Sequence, residues 1–230
     1  MENWTKNTLA ISLACVAARL ILLVVLFIPA LWSFERFSLS SPAGQPEHSG
    51  DGSALAQRGK PRPEELLKTY HIVKSRRPDI ADADAWRLSE VILVESSRHH
   101  LDPLLVLAII RIESNFQHTA VSPVGARGLM QIMPDTGRYL TEALHRERGL
   151  RQAVFRPESL DDPLHNIRLG TYYLRALKKQ FQDIQLALTA YNLGPGEVQN
   201  RIDNDIEFSG RFATVVLDTY QRYKKTSPRF

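Results

Sequence analysis

Between Leu104 and Asp135 the chain reads LLVLAIIRIESNFQHTAVSPVGARGLMQIMPD, and this stretch limits its fold more than any other. It opens as an apolar run and ends as a loop punctuated by Gly, Ser and Pro. Asp102 suits an N-cap and Pro103 the first helical position, so a helix is expected to start there. Leu104, Leu105, Ala108, Ile109 and Ile112 recur at helical spacing and are expected to face a core. One carboxylate, Glu113, closes the run. It stands three residues from Ile110 and four from Ile109, beside apolar neighbours on the same helix.

Burial of that kind disfavours a charged carboxylate and raises its pKa. A carboxylic acid still protonated near neutral pH can donate its proton to a leaving oxygen, as glycosidases require. The plain alternative for Glu113 is a polar residue at a fraying helix end. The three blocks IESNF (residues 112–116), GARGLMQIMP (125–134) and AYNLGPG (190–196) bear on that choice. Together, in this order and at about this spacing, they resemble the lysozyme-like domain of the soluble-lytic-transglycosylase family. The resemblance covers about residues 86–200, half of the chain.

The resemblance implies an all-α, lysozyme-like domain that cleaves the bond between N-acetylmuramic acid and N-acetylglucosamine in peptidoglycan glycan strands. It implies roles by position: Glu113 as catalytic acid and base, with Ser114 following it as a substrate-binding residue, and Ser122 facing the carboxylate and substrate. Met130 and Gln131 line the sugar groove. Tyr191 lies near the carboxylate and Asn192 near the sugar's acetamido group. Asn166 is implied to be structural. Read as residues alone, Met130 is equally a core filler. Ser122 and Asn192 are equally turn formers, and Tyr191 a core aromatic with its hydroxyl satisfied locally. Convergence of Ser122, Gln131, Tyr191 and Asn192 around Glu113 would decide between the readings. The motif blocks offer no second carboxylate near Glu113, although Asp135, Glu197 and Glu207 are available elsewhere. The resemblance therefore implies closure of a 1,6-anhydro ring by the substrate's own hydroxyl, without cofactor or metal. A hydrolase using water, or a wall-binding module without activity, are the competing readings.

Composition narrows the remainder. A net charge of +4, from 29 basic and 25 acidic residues, is compatible with an anionic polymer such as the cell wall. No basic block interleaved with aromatics suggests a nucleic-acid partner. The single cysteine, Cys15, excludes an intramolecular disulfide and a CxxC-type zinc site. It sits inside an apolar run, Leu9 to Leu31, interrupted by Arg19 alone. Those residues would make a helix about 34 Å long, enough to cross a bilayer. Residues 1–35 are thus expected to anchor the chain in the inner membrane, with the catalytic domain in the periplasm. The shorter pure run after Arg19 also fits a cleaved export signal. Residues 36–63, rich in Ser, Gly and Pro, are expected to be a flexible linker. The domain is then residues 64–230, and any cell-envelope machinery it serves is left open.

Helices are expected over 64–77, 85–99, 135–146, 162–180, 184–191 and 210–224. Gly194, Pro195 and Gly196 are expected to form a turn. His99 and His100 are adjacent on a helix and diverge, which argues against a metal pair. A solvated helix C-terminus is the expected setting for both.

Overall fold

The structure, a computed structural model, describes residues 61–147, 149 and 154–225. The apolar run at residues 9–31 lies outside them, as does nearly all of the linker, so the anchor and spacer have no structural account. Among the described residues no helix is long and apolar enough to cross a membrane.

Eight α-helices and one 3-10 helix make up the described part, with isolated bridges in place of strands. They are α1 (Pro63–Arg76), α2 (Asp82–Arg98), α3 (Pro103–Glu113), α4 (Pro134–Glu147), α5 (Pro163–Phe181), α6 (Ile184–Leu193), α7 (Pro195–Asp203) and α8 (Arg211–Lys225), with the 3-10 helix Pro157–Asp161 before α5. The all-α expectation holds for these residues. The Gly194–Gly196 turn does not: it opens α7. Pro195 occupies the first helical position, where its missing N–H is no loss.

Helix α3 is the centre of the domain. The Asp102 carboxylate accepts from the Leu104 amide at 2.8 Å, and Pro103 follows it. From Leu105 to Ile110 every side chain is buried, so α3 is enclosed on all sides rather than amphipathic. Leu104 and Ile112 are only half-buried. Helix α8 packs along α3, and the Tyr220 hydroxyl donates to Asp102 at 2.7 Å, tying the two together at the start of α3. Helix α5 pairs with α6 and also packs against α2. Asp162 and Asp183 cap α5 and α6, accepting from the amides of His165 and Leu186.

His99 departs from expectation. It is buried, with its ring edge-on to Tyr172 at 5.8 Å, because α5 covers the end of α2. Burial lowers its pKa. Beside it Glu95, also buried, accepts from Arg98 and from Arg168 of α5, each at 3.1 Å. Only His100 is exposed, at the left-handed residue that ends the turn. Trp86 is 38% exposed and stacks on Tyr70 at 4.0 Å.

Candidate active site

The site is built where α3 stops. Ser114 caps the helix, and Asn115 and Phe116 both take left-handed backbone angles, φ 50° and 64°. Few non-glycine residues tolerate that conformation. Phe116 is held in it by burial of its ring and by Arg77, which donates to its carbonyl at 2.9 Å. The chain is thereby turned out of the core directly after Glu113.

Glu113 ends α3 half-buried. Burial pushes its carboxyl up to about 7. Among the described residues no ion pair or hydrogen bond holds its carboxylate. An acid in this setting keeps its proton near neutrality and has it available for transfer.

The loop from Gln117 to Met133 folds back through two isolated bridges, Val121 to Arg127 and Arg127 to Ile132. Ser122 opens a tight turn. Its carbonyl accepts from Gly125 at 2.9 Å, and its Oγ accepts from the Ala126 amide at 3.0 Å. Its hydroxyl proton remains to be donated elsewhere. Gly128 is fixed by sterics. Its φ is +79°, and a Cβ there would lie 2.2 Å from Asn166 Nδ2 and 2.3 Å from the Leu160 carbonyl. Asn166, fully buried on α5, explains that closeness. Its Oδ1 accepts from the Met130 amide at 2.7 Å, while Nδ2 donates to the carbonyls of Arg127 and Leu160 at 2.9 Å each. Arg127 adds a two-pronged ion pair to Asp161, which sequence reasoning missed because 34 residues separate them.

Tyr191 closes the arrangement. It lies on α6, buried, and its hydroxyl donates to the Met130 carbonyl at 2.8 Å. Burial raises its pKa well above the usual value, with the nearby Glu113 charge adding to the effect. The Tyr191 ring lies tilted against Tyr173 at 5.3 Å and parallel to Phe212 of α8 at 6.5 Å.

Two cavities meet at Asn192 and Leu193. One, about 180 Å³, is lined by Gln131, Met133, Thr136, Tyr173, Tyr191 and Asn192, among others. The other, about 480 Å³, lies between the end of α6 and the start of α8, with Ile112 in its wall. The fold therefore draws Gln131, Tyr191 and Asn192 to a common opening near the end of α3. Gln131 has a left-handed backbone, φ 46°, and its Nε2 donates to the carbonyls of Ala120 and Gly128. Among the described residues no donor is hydrogen-bonded to its amide oxygen.

Neither Met130 nor Ser114 lines these two cavities. Met130 is fully buried and does not line an opening: its side chain packs so closely on Gly170 of α5 that a Cβ at Gly170 would lie 2.3 Å from Met130 Sδ. Ser114 is also buried, and its hydroxyl lies 2.8 Å from the Leu129 carbonyl and 3.2 Å from that of Ile110. It pins the loop to the end of α3. Asp135, Glu197 and Glu207 line neither cavity, and neither do Glu113 and Ser122. Glu197 is paired with Arg201 at 2.6 Å, and the Asp135 side chain is 93% exposed.

The family model of the transglycosylase SLT domain matches residues 90–211. The soluble lytic murein transglycosylase of Salmonella typhimurium is 40% identical over 114 residues, which is 48% of this chain and 16% of that protein. The membrane-bound lytic murein transglycosylase C of Shigella sonnei is 31% identical over 66% of this chain and 43% of its own length. The crystal structure of the 70 kDa soluble lytic transglycosylase from Escherichia coli superposes with a TM-score of 0.52 at 27% identity, covering 69% of this chain and 29% of that one. The chain thus spans less than half the length of these relatives.

Proposed function

Because the chain belongs to the transglycosylase SLT domain family, we propose that it is a peptidoglycan lytic transglycosylase with Glu113 as its one catalytic carboxyl group. The observation that carries this reading is Glu113 itself, an acid raised to about 7 by burial at the end of an enclosed helix, beside Tyr191. Glu113 donates its proton to the glycosidic oxygen as the C1–O bond of the muramyl residue breaks. The muramyl acetamido oxygen stabilises the oxocarbenium-like centre, and Asn192 orients that acetamido group. Glu113, now a carboxylate, takes the proton from the muramyl C6 hydroxyl as O6 bonds to C1. The 1,6-anhydro ring closes, the acid is regenerated and no water is consumed. Ser122 and Gln131 hold the sugar from the loop side. Tyr191, its hydroxyl spent on Met130, shapes the opening and keeps water from Glu113.

The pairing of Glu197 with Arg201 favours ring closure over hydrolysis, since it occupies the acid nearest in sequence to the third motif block. Digestion of purified sacculi, followed by mass spectrometry of the muropeptides, tests the reaction. Anhydro ends, lighter by one water than reducing ends, are the expected product. Reducing ends would make the enzyme a hydrolase of the same bond, and no release at all would leave a wall-binding module.

For the organisation of the whole chain, the proposal is an inner-membrane anchor over residues 9–31, a spacer over 36–63 and a periplasmic location for the domain from residue 64 onward. The hydropathy of the run, broken by Arg19 alone, supports it.

A further inference from the structure

We propose that Arg77, seated by Asp79, is a positioning residue for the reaction: from the turn between α1 and α2 it braces the backbone that delivers Glu113 to the groove. The inference rests on the glycan-cleaving reading above and adds to it two residues that precede the stretch matched by the family model, residues 90–211. Pro78 sets the geometry. A residue before proline is driven out of the helical region, so α1 stops at Arg76 and Arg77 leaves it with φ −131° and ψ 71°. The Ile80 amide donates to the Arg77 carbonyl at 3.3 Å. Lys74 Nζ donates to the carbonyls of Pro78 and Ile80 at 3.3 and 2.8 Å. The turn is thus tied to itself and to α1.

The Arg77 guanidinium divides its donors between two partners. Nε and Nη2 donate to the two Asp79 carboxylate oxygens at 2.9 and 2.7 Å. Nη1 donates to the Phe116 carbonyl at 2.9 Å, 39 residues further along the chain. A guanidinium is planar, so seating one edge on a carboxylate fixes where the remaining nitrogen points. Asn115 and Phe116 are the two left-handed residues that turn the chain away after Glu113, a conformation that non-glycine residues keep when their surroundings impose it. Arg111 of α3 donates to Asn115 Oδ1, and Arg77 takes the next residue. The Glu113 carboxyl group, with no hydrogen bond of its own among the described residues, is aimed by this backbone. Glu113 is raised to about 7 by burial, and the titratable group coupled to it is Tyr191 of α6. Arg77 pulls Asp79 down to about 2, so the pair stays charged wherever Glu113 works. A turn released by Arg77 would move Glu113 out of line and admit water to it, which lowers its pKa towards the ordinary value.

The test is steady-state kinetics of the full-length protein on soluble, uncrosslinked glycan strands from about pH 4 to about pH 9. Arg77→Gln is expected to lower kcat about tenfold and leave KM within about twofold, since a small misplacement of a catalytic group costs rate before binding. The alkaline limb of its profile is expected to move down by about one pH unit from the parent's. Asp79→Asn, which keeps Arg77 but frees its fork, is expected to do the same to a smaller degree, and Arg77→Lys to recover part of kcat. Urea denaturation gives the folded fraction to which each rate is referred. If Arg77→Gln does not fold, Asp79→Asn carries the test, since the Asp79 side chain is 65% exposed. A parental kcat with an unmoved limb overturns the brace, as does a loss confined to KM. The parent protein separates the two readings. Anhydro ends and a limb near pH 7 that neither variant moves leave Glu113 standing as the acid without the brace. A parent rate with no alkaline limb removes Glu113 as the acid, and the brace with it.

Discussion

Glu113 carries opposed demands at the scale of one residue. Folding raises its pKa from 4.5 to about 7, so the folded chain holds this proton more tightly than the unfolded chain does. The stability it contributes is complete below about pH 4.5 and is lost as the pH rises to about 7. Glu113→Gln has no charge to bury. At pH 8 that variant is expected to be more stable than the parent by on the order of 1–3 kcal/mol, with the difference vanishing near pH 4. Thermal denaturation at the two pH values checks this. Wall-lysing activity is expected to fall at least about 100-fold in the same variant, the usual size of a general acid's contribution. The parent enzyme is expected to lose activity above about pH 7, as Glu113 loses the proton it must donate. A rate that stays flat to pH 9 would remove Glu113 as the acid. The position of this residue was legible in the sequence, because Asp102 and Pro103 mark where α3 begins and the apolar run marks where it ends. Met130 and Ser114 were not legible in the same way. Whether a side chain faces a groove or a neighbouring helix depends on which partner the fold brings up, and Gly170 and Leu129 are 40 and 15 residues away in sequence.

Among the elements, α5 is the one on which the site depends. It supplies Asn166 to the loop and, one turn later, Gly170 as the surface on which Met130 rests. Gly170→Ala sets a methyl group 2.3 Å from Met130 Sδ and 2.9 Å from Met130 Cβ, so a change of rotamer alone cannot relieve the contact. The loop has to move. A loss of about 1–3 kcal/mol is expected, the common cost of overpacking a core, together with a fall in activity larger than this loss would cause by unfolding. Urea denaturation and a glycan-release assay on the folded fraction measure the two separately. Helix periodicity announced α5 and its cap at Asp162, but it does not reveal what a helix holds. The reverse is true of α7: Pro195 at its first position was visible, and the flanking glycines concealed it.

The whole molecule is expected to stay at the membrane through residues 9–31. Cell fractionation with mass measurement checks this, and a soluble species beginning after Leu31 would show that the run is removed.

Both backbone polar groups of Met130 are taken by side chains, the amide by Asn166 and the carbonyl by Tyr191, from helices 36 and 61 residues further along the chain. That junction, one residue with the two peptide groups that flank it, is therefore complete only after α5 and α6 have docked. In refolding, the groove is expected among the last features to form, since contacts distant in sequence are closed late. In the native protein, deuterium is expected to enter at the Met130 amide only when the domain opens as a unit. The catalytic groove then has no separate melting of its own, and a chain that retains its helices but has lost this junction would be folded in outline and inert.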